Sequence, residues 1–446
     1  MSKPHIAIIG GGCAGLSTAT TLVDCGFQVT LFEASAQLGG RTRTVPLKND
    51  NLIHLLDNGQ HILLGAYRET LALLRKVGMN ENQAFLRLPL HINMQSSPVQ
   101  ATFSLKSVNA LPAPFNILMG LLICKGLSFS ERITAIKLMA VIKKTSYKIA
   151  DDTPLERYLI NYKQTAKLIE MLWEPLCLAA LNTPIAIAST RVFLNILKDS
   201  FSGNKQNSDF LLPKLDLSQI IANPLLQYIQ AKGGEVRINR RVHKLQLEGN
   251  GFSLETRDGK AFFSHVIIAV PPARLNKLIE TLPKLKSTLL QTQTYSYQPI
   301  YTIYLQYPPS TQLPSVISGL SKSLGQWVFD RGQLCGQKGL ITIVISATGS
   351  HQQLSQDDLA LTLAKELSQI FPQLSKPLWH KVIAEKRATF SCTPNLARPS
   401  NKTAQANLFL AGDYTYADYP ATIEGAVRSG IACANLIKNS LKSLTP

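Results

Sequence analysis

Three glycines, Gly10, Gly12 and Gly15, stand in the spacing G-x-G-x-x-G between the apolar residues 6–9 and a helical stretch that runs to Asp24. This is the pattern that receives a pyrophosphate at a helix N-terminus. Such a group needs a tight turn, close backbone approach and tight packing of helix on strand, and the three glycines supply these in order. Cys13 and Ala14 lie inside the triplet, with their amides in the first helical turn. Glu33 ends the next apolar stretch, residues 28–32, where a carboxylate accepts hydrogen bonds from a ribose. A strand before the triplet, a helix after it and an acid in place make a chance glycine-rich turn the weaker reading.

A second glycine pair, Gly39-Gly40, follows Glu33 and leads into Arg41. The pair permits another backbone approach, and the guanidinium can neutralise phosphate charge. A nicotinamide domain has no need of this element. At the other end of the chain, apolar residues 408–411 stop at Gly412-Asp413, and a helix starts near Thr422 and Ile423. An acid there can bond ribitol hydroxyls, and the positive end of the helix favours a reduced, negatively charged flavin. Read alone, Gly-Asp after a strand is a plain turn. Paired with the N-terminal triplet it implies FAD.

These residues need a β-α-β unit of about thirty residues to hold them. In 446 residues, with 45% hydrophobic and 17% charged content, two domains are expected. The fold class expected is α/β: a discontinuous Rossmann-type FAD-binding domain (1–85, 212–285 and 395–446) beside a second, mixed helical and β-sheet substrate-binding domain (86–211 and 286–394). Residues 115–122 have helical spacing, and Ser128 with Glu131 forms a capping-box pattern ahead of a basic helix. Asp258-Gly259 marks a hairpin.

The net charge of +18 asks for a partner. No run of basic residues and no nucleic-acid signature occurs, so an anionic cofactor and an anionic membrane are preferred to nucleic acid. Seven cysteines without a C-x-x-C pair read as reduced thiols, with no metal site. The N-terminus opens the nucleotide-binding motif and is not expected to be a signal peptide. The longest apolar run, residues 111–123, falls short of the ~20 residues of a spanning helix. Residues 121–150 hold Lys125, Arg132, Lys137, Lys143, Lys144 and Lys148 against Glu131. An interfacial helix on anionic lipid is one reading and a solvated basic face the other. The expected location is cytoplasmic, peripheral on the inner face of the cell membrane.

Together these pieces resemble the amine oxidase and phytoene desaturase superfamily of flavoproteins. The resemblance implies FAD contacts at Glu33, Gly39, Gly40, Arg41, Gly412 and Asp413, beside Gly59, Thr422 and Ile423, with the backbone of Val242 at the adenine. Within it, LDNGQHILLGAY (56–67), WEPLCLAALNTP (173–184), KRATF (386–390) and PATIEGAVRSG (420–430) are similar to hydroxysqualene dehydroxylases of hopanoid synthesis. Tyr414 departs from that pattern, where a tryptophan is expected, and leaves the pocket wall open. The resemblance implies a C30 isoprenoid substrate and an electron donor. Reduced flavin would pass a hydride to an allylic carbon while hydroxide leaves as water.

Hydroxide is a poor leaving group, so a proton source is expected. Asp57 and His61 are the first candidates, their alternative being to fix a tight loop. Glu174, on an otherwise apolar helix, is either an acid of raised pKa or a hydrogen-bonded core residue. Tyr416 either donates a proton or walls the cavity. Non-covalent flavin is expected, with Cys392 the thiol to check. Desaturation of a carotenoid precursor and amine oxidation are the enzymatic rivals, and an isoprenoid-binding membrane scaffold with a relic flavin is the non-enzymatic one.

Overall fold

The computed structural model describes residues 4–49, 52–98 and 101–442. Its first sheet has five parallel strands in the order Glu235–Arg237, Gln28–Phe32, His5–Ile9, His265–Ile268 and Leu408–Leu410. Layers cover both faces, so the central strands read as unbroken apolar runs rather than alternating ones. One layer contains helices Cys13–Asp24 and Ile423–Lys442, and the other the three-stranded antiparallel sheet of residues 244–263. The two helices meet through Gly430, where a Cβ would come within 2.1 Å of Ser17 Oγ and 2.4 Å of the Ala14 carbonyl oxygen. This packing joins the two ends of the chain at one site.

The second sheet has seven strands: Trp379–Phe390, Tyr297–Gln306, Leu340–Ser346, Trp327–Asp330, Ile317–Leu320, His91–Gln95 and Ala101–Lys106. Helix Gln356–Ile370 packs on one side of it. The helical residues 115–201 build a large apolar cluster that reaches Phe390, Tyr414 and Tyr419. The sequence reading lacks the strands at 91–106 and treats residues 386–390 as a motif rather than the end of a twelve-residue strand. Only the first of these left a local trace, in the alternation of His91, Asn93 and Gln95 with buried Ile92 and Met94.

The capping box forms: Ser128 Oγ accepts from the Glu131 amide at 3.3 Å, and the Ser128 amide donates to Glu131 Oε2 at 2.8 Å. Helix Phe129–Lys144 buries Ala135, Leu138, Met139 and Ile142 and leaves Lys137, Lys143 and Lys144 in solvent. These four side chains therefore belong to the core, while Phe129 and the lysines remain outside. The stretch 173–184 is a joint. Trp173 Nε1 donates to Gln164 Oε1 at 2.9 Å, and Asn182 Nδ2 donates to Thr389 Oγ1 at 2.9 Å. The Ala347 amide donates to Asn182 Oδ1 at 2.8 Å, so one buried amide side chain ties the helical layer to two strands of the large sheet.

Candidate functional site

The glycine triplet is built of two closed positions and one open one. Gly10 has φ +114°, and a Cβ there would lie 2.5 Å from the Ala269 carbonyl oxygen. A Cβ on Gly15 would lie 1.9 Å from the Gly10 carbonyl oxygen, whereas one on Gly12 would meet nothing within 4 Å. Gly12 is also the N-cap of helix Cys13–Asp24, with no side chain capping the first turn. Open space before uncapped helical amides, those of Cys13 and Ala14 among them, is a fit for pyrophosphate.

Glu33 closes one side. Its Oε2 accepts from the Gly11 amide at 2.8 Å and its Oε1 from the Ser35 amide at 2.7 Å. The Arg240 amide donates to the Glu33 carbonyl at 2.8 Å, which sets the buried Val242 close to this strand end. The other side is the second glycine pair, where the Gly39 amide donates to the Gly11 carbonyl at 2.8 Å. Gly39 and Gly40 have φ of +100° and +59°, and a Cβ on Gly40 would come within 3.3 Å of Gly12 Cα.

Arg41 joins the two ends of the chain. Its guanidinium donates to the Ala388 carbonyl and to Asp413 Oδ2, each at 2.6 Å. Asp413 is 4% exposed, and the preceding Gly412 amide donates to Ser429 Oγ at 2.9 Å. Thr422 Oγ1 accepts from the Gly425 amide at 3.0 Å and starts the helix whose first residue is Ile423. Tyr414 is fully buried, with a hydroxyl that has no partner, and its ring fills the space beside Gly412. Burial pushes that phenol far above its ordinary pKa, so it keeps its proton.

The loop from Asp57 to His61 lies under this region. Asp57 Oδ1 accepts from the Leu217 amide at 2.9 Å, its Oδ2 is 3.9 Å from buried Arg331, and its carbonyl accepts from the Tyr304 hydroxyl at 2.8 Å. Arg331 also donates to Gln60 Oε1 at 2.7 Å. The Asp57 carboxylate thus fixes the loop. His61 Nδ1 donates to the Gly59 carbonyl at 2.7 Å, a contact that only the Nδ1–H tautomer makes. Burial, with the Arg41 charge added, holds the ring below its usual pKa, so neutral His61 keeps Nε2 as an acceptor.

Burial pushes the Asp57 carboxyl from 3.8 to about 6, although the Leu217 amide and Arg331 pull the other way. The folded chain then holds more protons than the unfolded one between those values, so stability falls as pH rises through that window and stays lower above it. The ionised form costs on the order of 2–3 kcal/mol. Asp57→Asn keeps an acceptor for Leu217 and removes this slope. Melting scans of both proteins across the window are expected to diverge as the pH rises. A constant difference between them would mean that Asp57 does not take up a proton on folding.

The tyrosine loop is held by arginines the sequence reading did not single out. Arg398 donates to the carbonyls of Tyr416 (3.1 Å), Ala417 (3.3 Å) and Tyr419, and its plane lies 4.5 Å from the Phe390 ring centroid. Arg398 also donates to Cys392 Sγ at 3.3 Å. Burial pushes that thiol up to about 11, which keeps it protonated. Tyr416 is half-buried, its ring 6.1 Å from Tyr419. Arg428 stacks 4.5 Å from the Tyr419 ring and donates to Glu424 Oε1 at 2.7 Å and Asp199 Oδ2 at 2.9 Å. Glu424, 0% exposed, also accepts from the amides of Glu69 and Thr70 and from Thr70 Oγ1. The signal for this pair was available, since Glu424 and Arg428 are four apart on a helix, with apolar Val427 and Ile431 on the same face.

Glu174 stands elsewhere. It is half-buried in the helical layer, and burial followed by repulsion from Glu156 and Glu170 raises its pKa. Its charged neighbours are those acids, not the residues around Arg41.

The chain is 28% identical to a hydroxysqualene dehydroxylase of Zymomonas mobilis, covering 98% of this chain and 99% of that protein. It is 26% identical to a 15-cis-phytoene desaturase of an Oncidium hybrid cultivar, covering 98% of this chain but 78% of the relative. The solved structure of cyclohexylamine oxidase from Brevibacterium oxydans superposes with a TM-score of 0.71 at 16% identity, over 99% of this chain and 100% of that one. The sequence profile for flavin containing amine oxidoreductases matches residues 13–438. That match begins inside the open glycine turn and ends in the helix that closes the site from the other terminus. The chain therefore belongs to the flavin containing amine oxidoreductase family and is an FAD-dependent oxidoreductase.

Proposed function

We propose that this oxidoreductase removes the hydroxyl group of hydroxysqualene reductively, giving squalene. The observation that carries the reading is the alignment with the dehydroxylase of Zymomonas mobilis, over 98% of this chain and 99% of that protein. The helical layer is consistent with an apolar substrate, since Leu90, Ile92, Ile117, Leu121, Met139 and Trp173 belong to one apolar cluster that reaches Tyr414 and Tyr419.

In this reading FAD, when bound and reduced by an external two-electron donor, would supply the hydride and end oxidised. Gly10, Gly12 and Gly15, with the amides of Cys13 and Ala14, receive its pyrophosphate, and Arg41 offsets the charge. Glu33 takes the ribose, Val242 the adenine and Asp413 the ribitol. Gly39 and Gly40 allow the backbone to come close, and Gly59, Thr422 and Ile423 border the ring. Asp57 positions the loop through Leu217 and Arg331. Neutral His61 orients a hydroxyl through Nε2. The Tyr416 phenol then remains as the proton donor for the departing hydroxide, and Glu174 shapes the helical layer.

The test is anaerobic. The purified protein is reduced chemically and mixed with hydroxysqualene, while flavin absorbance is followed and the lipid extracted. Oxidised flavin matched by squalene is the expected result, and a flavin that stays reduced with substrate recovered would sink the reaction. Tyr416→Phe is expected to slow the step by about 10²-fold or more without loss of FAD. A second reading, desaturation, has the phytoene desaturase relative in its favour. Oxidised enzyme reduced by phytoene, with no squalene formed in the first assay, would select it.

A further inference from the structure

Helix Phe115–Ile123 carries no charged residue, and its two faces meet different surroundings. Inward, Ile117 and Leu121 are buried and line a small apolar cavity of about 20 Å³ with Leu105, Met139 and Trp173. Outward, Phe115, Met119 and Ile123 follow at i, i+4 and i+8 with 57%, 39% and 59% exposure, and Phe129 just beyond is 68% exposed. Exposed apolar side chains elsewhere stand singly, as Leu290 and Leu378 do, or as pairs two apart in the sequence, as Ile53 with Leu55 and Ile160 with Tyr162 do. A cluster of four on one element and its neighbour marks an interaction surface.

The charge around this surface selects the partner. Lys143 Nζ lies 6.0 Å from the Phe115 ring centroid, and Lys106, Lys125, Lys137 and Lys144 are exposed on the same and adjoining elements. Between residues 101 and 150 the only acid is Glu131, whose carboxylate accepts from the Ser128 amide and the Thr165 hydroxyl. Arg132 donates to the carbonyls of Leu122 (3.1 Å) and Leu127 (3.0 Å), which fixes the turn that presents Ile123 and Phe129 together. An apolar wedge with a lysine fringe enters the boundary between headgroups and acyl chains of an anionic bilayer. A second copy of the chain would bring the same lysines against each other. A nucleic acid would leave the apolar side chains in water.

We propose that the outer face of helix Phe115–Ile123, with Phe129, docks on an anionic lipid bilayer. The face lies on the opposite side of this helix from Ile117 and Leu121, which pack into the core. Among the described residues no helix is long and apolar enough to cross a membrane, so contact through this face is superficial. Docking does not depend on the reaction proposed above, because vesicle binding is read without turnover.

The experiment sediments the FAD-loaded full chain with vesicles of phosphatidylcholine, with and without phosphatidylglycerol. Binding is expected to rise roughly fivefold for each lysine that reaches the anionic surface. The triple variant Phe115→Ser, Ile123→Ser, Phe129→Ser is expected to lose on the order of 100-fold in partitioning, with an unchanged flavin spectrum and melting temperature. Lys143→Glu with Lys144→Glu is expected to lose about 25-fold or more on anionic vesicles only. Should the triple variant fail to fold, Met119→Cys carrying a polarity-sensitive dye keeps the wild-type core, and its emission is expected to shift blue on anionic vesicles. Wild-type binding by the triple variant, equal binding to both lipids, or a dye that does not respond would overturn the proposal. A wild-type dimer that the triple variant splits would instead make a second copy the occupant.

Discussion

Gly12→Val is expected to give a chain that folds and does not hold FAD. The built Cβ at Gly12 meets nothing within 4 Å, so the apoprotein accommodates the side chain without displacing its own atoms. The same side chain fills the space in front of the uncapped first turn of helix Cys13–Asp24, where phosphate oxygens would accept from the amides. Affinity for FAD is expected to fall on the order of 100-fold or more. Gly15→Ala is the contrasting variant. Its Cβ would sit 1.9 Å from the Gly10 carbonyl oxygen, so helix and strand must separate, at a cost of about 3 kcal/mol or more. Flavin retention on a desalting column and melting of both apoproteins distinguish the two. If Gly12→Val keeps its yellow colour, the pyrophosphate is held elsewhere.

Glu424→Ala is expected to have the largest effect on stability. The carboxylate is 0% exposed and accepts from two amides, a hydroxyl and the Arg428 guanidinium. Its removal leaves the first turn of helix Arg68–Lys76 without a cap and Arg428 with Asp199 as its remaining carboxylate partner. Breaking a buried pair from one side costs about 3–5 kcal/mol. Glu424→Gln retains a carbonyl oxygen for one amide and is expected to recover part of that loss. Because Arg428 stacks on Tyr419, the alanine variant is also expected to loosen the tyrosine loop, seen as faster proteolysis between residues 414 and 420. An unchanged melting temperature in Glu424→Ala would show that the network does not hold the C-terminal helix to helix Arg68–Lys76.

How much of this was legible in the sequence depended on the range of the interaction. The turn at Gly10 and the capping box at Ser128 are each written within a few residues, and both appear in the structure as read. The strands around residues 6–9 and 28–32 were legible because burial on both faces demands an unbroken apolar run. Strand Trp379–Phe390 was not. It mixes Lys381, Glu385 and Arg387 with its apolar residues, and only pairing with Tyr297–Gln306 makes it a strand. Asp57 and Glu174 show the same limit in side chains. Both carboxyls have raised pKa values, yet one is wedged between Leu217 and Arg331 and the other faces two acids in the helical layer.

By itself, then, the sequence determined an α/β dinucleotide fold with FAD as its cofactor, because turn geometry and apolar period are properties of neighbouring residues. The tertiary structure alone decided that Arg41 meets Asp413, that Arg398 grips the tyrosine loop and that Glu424 is sealed by Arg428 and Thr70. It also decided which apolar residues face outward, placing Ala135, Leu138, Met139 and Ile142 in the core and leaving Phe115, Met119, Ile123 and Phe129 exposed. A buried charge is stable only beside the partner that desolvation forces on it, and an apolar face is exposed only where no other element packs. Both conditions join residues far apart in the chain, which no local pattern specifies.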